Sequence, residues 1–487
     1  MNRTIAILAI LIGFSTNIQA QNEDDALRYS YLTFGGTARS VAMGGAFGAL
    51  GADFSTLSNN PAGIGLYKRS EFTFSPSLYV GKTSSTYQGK SLDDLRYNFN
   101  LGNLGMVLNF PVNQNPENAG WKNVQFGLGI NRTNNFNTRM AIEGTNTDNS
   151  MLDAWTLDAN GQTYDNLSRF DLGLAFDTWL LDTIAGDPTH YKNAFPDGGV
   201  TQRKSVNEWG SMNEWVMSMG ANYNDKFYIG ATLGFPFFKY SMESSYKETA
   251  LSEDIAFDQF KEFSYNEKVV TEGSGFNFKF GFIFKPADFV RVGAAVHTPS
   301  YFYNMKDTYS SSMKSSFSNG DSYKEDSPDG EYDYKLNTPM RVIGSIAFII
   351  GKFGLVSADY EFVDYSEARF RSEDADVYFE VNDAIRAKYS TANNIRLGTE
   401  WRYNQFNFRG GYAIYGSPFK TDINDAARTS YSFGIGIRDV DYFLDLAYVY
   451  TQSKEDYYLY DNSAINFLPA KNENTSQNFI LTLGFKF

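Results

Sequence analysis

From Gln477 to Phe487 the chain alternates strictly: Phe479, Leu481, Leu483, Phe485 and Phe487 take every second position, and Asn478, Ile480, Thr482, Gly484 and Lys486 take the others. A strand of this kind has one apolar face and one mostly polar face. It suits the closing stave of a membrane barrel, with the apolar face on lipid and an aromatic end at the interface. The same period also fits an edge strand of a soluble sandwich, so the remainder of the chain must decide between them.

Two features limit the choice. Arg3, the apolar run Ile5 to Phe14 and the small residue Ala20 before Gln21 have the layout of a cleaved secretory signal, placing a signal peptide at residues 1–20. No later stretch approaches the ~20 apolar residues of a transmembrane helix, so any crossing must be made by strands in a closed sheet. The sequence has no cysteine, which removes disulfides and thiolate metal sites. It carries 33 Tyr and 42 Phe, yet its mean hydropathy is -0.38. A barrel reconciles these values, because alternate residues face lipid and lumen while long loops face water. The net charge of -14 argues against nucleic acid as a partner.

Fourteen strand-like segments follow Glu71: 71–80, 101–110, 122–132, 212–222, 226–241, 262–286, 288–299, 331–350, 353–364, 393–402, 405–414, 429–438, 442–452 and 476–487. Tight turns fall at Tyr223-Asn224-Asp225, Lys285-Pro286-Ala287-Asp288, Gly351-Lys352, Tyr403-Asn404 and Asp439-Val440-Asp441. Long polar excursions lie between them at 133–211, 242–261, 300–330, 365–392, 415–428 and 453–475. This short-long rhythm predicts an all-β, 14-stranded antiparallel transmembrane β-barrel occupying residues 71–487, with its turns at one end and its loops at the other.

The excursion 133–211 is too long for a simple connection. Its apolar clusters at Met151 to Leu157 and Phe176 to Leu181 predict helices or short strands over the barrel mouth, with Trp155 and Trp179 as candidate loop contacts. A further helix is expected around Val381 to Tyr389. Gly129, Gly234, Gly281, Gly293, Gly344, Gly398 and Gly484 suit strand curvature or close packing against lumenal material.

Ahead of the strands, Ala38 to Leu50 (ARSVAMGGAFGAL) leads through Asp53 to Ser58-Asn59-Asn60-Pro61-Ala62-Gly63-Ile64. This segment resembles the amino-terminal hatch of the outer-membrane long-chain fatty-acid transporter family (FadL/TodX-like), including its Asn-Pro-Ala signature at Asn60-Pro61-Ala62. Val296-His297-Thr298-Pro299-Ser300, Thr338-Pro339 and Thr391 to Glu400 resemble strand-flanking patterns of the family, and the likeness is nearest to Bacteroidota-type members. It runs from about Gly35 to Phe487, although only these motifs are specific. The resemblance implies a fourteen-stranded barrel plugged by a hatch at residues 21–70, and passage of a hydrophobic ligand through the barrel and out sideways through its wall. It also implies an outer membrane of a Gram-negative bacterium as the location. Asn60, Pro61, Ala62 and Gly63 are the candidate hatch and ligand-route residues. Pro fixes one backbone angle, Asn bonds local amides and Gly permits an unusual turn, so a purely bracing role is equally consistent with them.

No catalytic constellation stands out, and no cofactor is expected. His190 and His297 are the only imidazoles, and His297 reads as a hydrogen-bonding residue at the barrel rim. Asp321, Glu325, Asp326, Asp329, Glu331 and Asp333 lack the spacing of a calcium loop and read as a solvated acidic loop. The expected function is passive transport of long-chain fatty acids or other hydrophobic small molecules, with outer-membrane lipid around the wall. The alternative is a non-transporting interaction subunit that docks a secretion or envelope protein through its loops. A soluble carbohydrate-binding sheet protein is a third reading.

Overall fold

The computed structural model describes residues 22–33, 35–112, 119–195, 199–251, 260–372, 377–420, 424–460, 465 and 467–487; the signal-peptide segment 1–20 lies outside the described residues. Fourteen staves run antiparallel in chain order. They are β1 (Glu71–Tyr87), β2 (Lys90–Pro111), β3 (Trp121–Asn135), β4 (Val200–Tyr223), β5 (Phe227–Ala250), β6 (Phe260–Ala287), β7 (Val290–His297 continued by Tyr301–Phe317), β8 (Gly330–Asn337 and Arg341–Ile350), β9 (Gly354–Asp364 and Arg369–Arg371), β10 (Thr391–Tyr403), β11 (Phe406–Tyr415), β12 (Arg428–Arg438), β13 (Tyr442–Tyr457) and β14 (Ala470–Lys486). β14 returns to β1, with Phe72 opposite Phe485 and Leu78 opposite Phe479, so the sheet closes into a ring.

The fourteen segments of the sequence reading each correspond to one stave, but the staves are longer. β5 spans 24 residues and β6 spans 28, so much of the excursions at 242–261, 300–330 and 453–475 is paired strand. The first connection at the loop end is only the turn at Gln88 and Gly89, both with positive φ, as a two-residue hairpin requires. The physical reason is that backbone pairing outside a bilayer needs no apolar face. The two-residue hydropathy period fades at the membrane rim while the ladder continues.

Outward positions carry the apolar belt: Phe126 and Leu128, Phe278 and Phe280, Ile395 and Leu397, Phe433 and Ile435 are all exposed. On the last stave Phe479 and Phe485 face out, while Ile480 and Thr482 are buried in the lumen, as their alternation predicts. No helix among the described residues is long and apolar enough to cross a membrane.

The excursion 133–211 folds into a dome. It contains a strand at Thr138–Asn146 that pairs with β4, the helices Met151–Ala159 and Leu172–Asp177, and a small hairpin of Leu181–Ile184 with Asp187–Asn193. The helix expected near 381–389 is Phe379–Lys388.

Candidate functional site

The segment before β1 fills the barrel bore. α1 (Glu23–Ser30) is set by an Asn22/Asp25 capping box, and α2 (Ala38–Ala42) follows a Thr37 cap. Short 3-10 turns at Phe54–Leu57 and Pro61–Leu66 complete the segment. Tyr29 of α1 sits among Phe136, Phe238, Tyr240 and Phe302 in the upper lumen, and its ring stacks on that of Phe238 at 4.4 Å. Burial pushes the Asp25 carboxyl up to about 6 against the opposing pull of Arg28.

Asn60 organises the signature turn. Its Nδ2 donates to the Gly48 carbonyl at 2.6 Å and to the Phe282 carbonyl on β6 at 3.2 Å, while its Oδ1 accepts from the Ala62 amide at 3.1 Å. Pro61 begins the 3-10 turn, a position where its missing N–H costs nothing. Ala62 packs on Tyr228 and Ile283, and the Gly63 carbonyl accepts from Ala52 at 2.9 Å. The four residues therefore brace the plug against β5 and β6. Close approach makes the wall glycines necessary: a Cβ at Gly230 would stand 2.2 Å from the Pro61 carbonyl oxygen, and one at Gly411 2.1 Å from the Gly44 amide. Gly129, Gly281, Gly293 and Gly398 likewise abut the plug. Gly234 meets Glu214 and Asn277, Gly484 meets Phe443, and Gly344 faces open space.

Two charged clamps hold the plug from the β8 to β13 side. In the first, Arg39 chelates Glu400 at 2.9 and 3.1 Å; Arg409 bonds Glu400 and Asp445, each at 2.6 Å, and Arg438 reaches Asp445 at 3.0 Å. In the second, Asp359 accepts from the Phe47 and Gly48 amides at 3.1 and 3.0 Å. Glu361 beside it accepts from Arg341 at 2.7 Å and lies 3.3 Å from Arg396. These groups are nearly all buried, and each charge has an opposite charge or an amide donor. Sequence reading missed them because a lone Arg or Glu within a mixed strand looks like any solvated position.

His297 is buried in the lumen, not placed at the rim. Its Nε2 donates to the Asn59 carbonyl at 2.6 Å, tying β7 to the plug. Trp155 is buried in the dome beside Tyr265, at 5.3 Å between ring centroids, whereas Trp179 is 58% exposed with its ring 6.3 Å from Tyr323. The acidic stretch at 321–333 is solvated, with Lys306 pairing Glu331 and Lys324 pairing Asp326. The described residues contain no His, Cys, Asp or Glu group that could hold a metal.

The wall is different on the other side. β2 and β3 are paired only from Asn103 opposite Asn131 down to Pro111 opposite Asn123. Above that level β3 shifts register on β4 at Arg132 to Asn134, and the strand breaks before Thr138. The Thr133 carbonyl accepts instead from Thr33 of the plug at 2.8 Å, and Asn134 bonds the Tyr31 carbonyl at 3.0 Å. A crevice of about 580 Å³ occupies the gap, with Arg96, Asn98, Asn100, Arg132, Trp209 and Phe237 among its lining residues. Side chains cross it in place of a ladder: Arg96 to Asn207 at 3.0 Å, Arg139 to Asp94 at 3.3 Å, and Lys90 to Glu143. Inside, a chamber of about 310 Å³ lies between the plug and β1, β11, β12, β13 and β14, and it shares Asn100 and Arg132 with the crevice.

A fourteen-stave ring with an amino-terminal plug and an interrupted third stave invites comparison with solved barrels. A Pseudomonas aeruginosa FadL homologue superposes with a TM-score of 0.56 at 12% identity, over 94% of this chain and 100% of that one. The Pseudomonas putida toluene transporter TodX gives 0.53 at 13% identity, over 93% and 99%. The chain has the FadL-type fold. No protein-family model matches it, and no curated protein matches it either. Within the FadL-type fold, the signature turn serves the side of β5 and β6, the crevice lies between β2 and β4, and the chamber next to Thr33 and Gly35 extends from there to β11–β14.

Proposed function

We propose that this protein is a member of the FadL/TodX-like family in the outer membrane of a Gram-negative bacterium, Bacteroidota-type by its motifs. It passively carries hydrophobic small molecules, long-chain fatty acids among them. Residues 21–70 serve as the hatch, and cargo leaves sideways between β2 and β3. The observation that carries this reading is that the ladder stops where an inner chamber meets the wall, while Leu95, Tyr97 and Phe99 of β2 stand exposed beside the gap. Such residues support an opening at the level of the lipid-facing belt. A solute delivered there enters hydrocarbon without crossing the polar surface layer, and transfer of apolar surface from water drives the step. Asn60, Pro61, Ala62 and Gly63 contribute by keeping the rest of the plug fixed.

The test uses detergent-purified protein and proteoliposomes. Labelled palmitate should bind and equilibrate into vesicles, and Asn100→Trp should slow uptake while binding is retained. Absence of both binding and uptake across palmitate, dodecane and toluene would sink the reading.

The dome favours a second role as a docking subunit for a secretion or envelope protein. It has its own buried core around Leu152, Trp155 and Leu180, yet leaves Trp179 exposed in a left-handed backbone conformation at the loop end. Co-purification of a stoichiometric partner that is lost on Trp179→Ala would favour this role.

A further inference from the structure

Beyond the membrane belt, β4 to β7 continue as a sheet whose inner face packs on the dome and whose outer face is free. Val206, Tyr246, Phe263 and Met313 point inward and are buried, while Ser205, Ser245, Asn266 and Ser312 take outward positions. These four lie side by side: Ser205 is opposite Ser245, Ser245 opposite Asn266, and Asn266 opposite Ser312. Small polar residues lack the branched or aromatic surface that favours strands, so such a row on four neighbouring staves does nothing for the sheet. The next row, farther from the belt, is cationic. Arg203 stands directly opposite Lys247, and Lys314 directly opposite Lys324 of the short strand Ser322–Asp326, with Ser264 between the two pairs. Like charges facing each other across a ladder are destabilising. Carboxylates lie 2.8 Å from Lys247 (Glu262), 2.9 Å from Lys324 (Asp326) and 3.9 Å from Arg203 (Glu143), but pairs this exposed are worth little. Lys314 meets no carboxylate among the described residues. A groove of about 720 Å³ follows the serine row and is lined also by Asn207, Ser310 and a Glu243–Lys268 pair at 3.8 Å.

We propose that this outer face binds the phosphorylated core oligosaccharide of lipopolysaccharide, with an anionic group between Lys247 and Lys314 and sugar hydroxyls along the row from Ser205 to Ser312. Such a ligand surrounds the barrel only in an outer membrane, as proposed above, and its seat is independent of the cargo. Lys247 and Lys314 stand two staves apart, about 10 Å at the backbone, so two long side chains can meet on one anion. The hydroxyls and the amide carry no bulk, which lets a sugar ring lie against the sheet and exchange hydrogen bonds with it. The outward lining of the groove holds no apolar side chain, so the core of a protein interface has nothing to bury there. The height also fits. Phe237 is the last exposed aromatic of the belt on β5, and Ser245 and Lys247 follow it on the same face. At ~3.3 Å per residue and a tilt of ~40°, the two rows stand roughly 20–25 Å above the belt, at the level of sugars rather than acyl chains.

The test titrates deacylated rough lipopolysaccharide, a water-soluble phospho-oligosaccharide, into the purified full-length barrel at low ionic strength and follows binding by calorimetry. Removing its phosphates should weaken binding about tenfold, and so should Lys247→Gln combined with Lys314→Gln. Ser245→Tyr raises a ring in the middle of the hydroxyl row and should weaken the intact and the phosphate-free saccharide alike. Lys352→Gln removes an exposed cation at the turn end and should change nothing; heat-modifiable gel mobility reports that each variant is folded. Palmitate uptake should be the same in all of them, so a failed seat and a failed conduit read separately. Equal binding of the saccharide with and without phosphate, or undiminished binding in the double lysine variant, would overturn the cationic row. Dextran sulfate bound as tightly, with Ser245→Tyr without effect, would reduce the face to non-specific charge and overturn the saccharide seat. No binding of the intact saccharide would overturn both, whatever the palmitate result.

Discussion

The two sides of the bore use polar side chains in opposite ways. From β8 to β13, short staves such as the ten-residue β11 carry paired charges that grip the plug. From β1 to β4, long staves release one another above Asn103, with side chains in place of the ladder, and the chamber beside that gap reaches round to the upper parts of β11 to β14. A charge met by an opposite charge inside a barrel fixes structure, since removing one partner strands the other in a low dielectric. A cation or amide left facing a cavity is available to whatever enters. Which of these a lumenal arginine does is decided by its neighbours, not by its type.

The sharpest way to break this contrast is to cut a clamp. Arg409→Ala leaves Glu400 and Asp445 buried with only Arg39 and Arg438 to balance them, so the plug should be destabilised by about 3 kcal/mol. Denaturant unfolding and limited proteolysis of residues 22–70 check it, and a loss below ~1 kcal/mol would show that the clamp is ornamental. Next comes overpacking. Gly230→Ala pushes a methyl against the Pro61 carbonyl and should cost about 1–3 kcal/mol, whereas Gly344→Ala meets nothing and should be neutral within about 0.5 kcal/mol.

The open side is tested by filling it. Asn100→Trp places an indole where chamber and crevice meet, and should slow uptake at least about tenfold, equivalent to ~1.4 kcal/mol on the limiting barrier. Thermal stability should not move, because the Asn100 side chain bonds only Ser77 and the Asn98 carbonyl and takes no part in either clamp. If the Trp variant lost stability and kept its uptake rate, the roles assigned to the two sides would be reversed.

The same division explains what could be read in advance. The ring was legible because pairing inside hydrocarbon imposes alternation on every stave, as in Phe479 to Phe485 against Ile480 to Gly484. Stave length was not, because Glu243 to Lys247 of β5 pairs through its backbone with polar residues on both faces. Asn60 was legible as a turn residue, and the turn it makes is the brace. The clamps were not: Arg39 and Glu400 are 361 positions apart, and nothing local marks either as half of a pair. His297 looked like a rim residue because Pro299 ends its strand, yet the bond it makes points inward to Asn59. The gap at β2 and β3 leaves no trace beyond polar residues in a strand, since a missing ladder is a property of two segments together.

The smallest expected effect concerns α1, which sits between the two sides. Its Asp25 carboxyl is raised from 3.8 to about 6, chiefly by burial, with Arg28 pulling the other way. Because the folded value lies above the unfolded one, the folded plug binds more protons between pH 4 and pH 6. Stability therefore rises as pH falls through 6 and is lowest at neutral pH. With solvent relaxation the gain between pH 7 and pH 4.5 should be about 1–2 kcal/mol. Hydrogen exchange over residues 22–33 would register it as slower opening at the lower pH. Asp25→Asn cannot titrate, so the difference in slope between wild type and variant isolates this group from the other carboxylates, whatever the variant does to absolute stability. The clamped turn at Asn60 should exchange equally in both proteins. A slope change there as well would mean that α1 and the clamps open as one unit, and the bore would then have a single rigid plug where its two sides suggest a fixed half and a movable one.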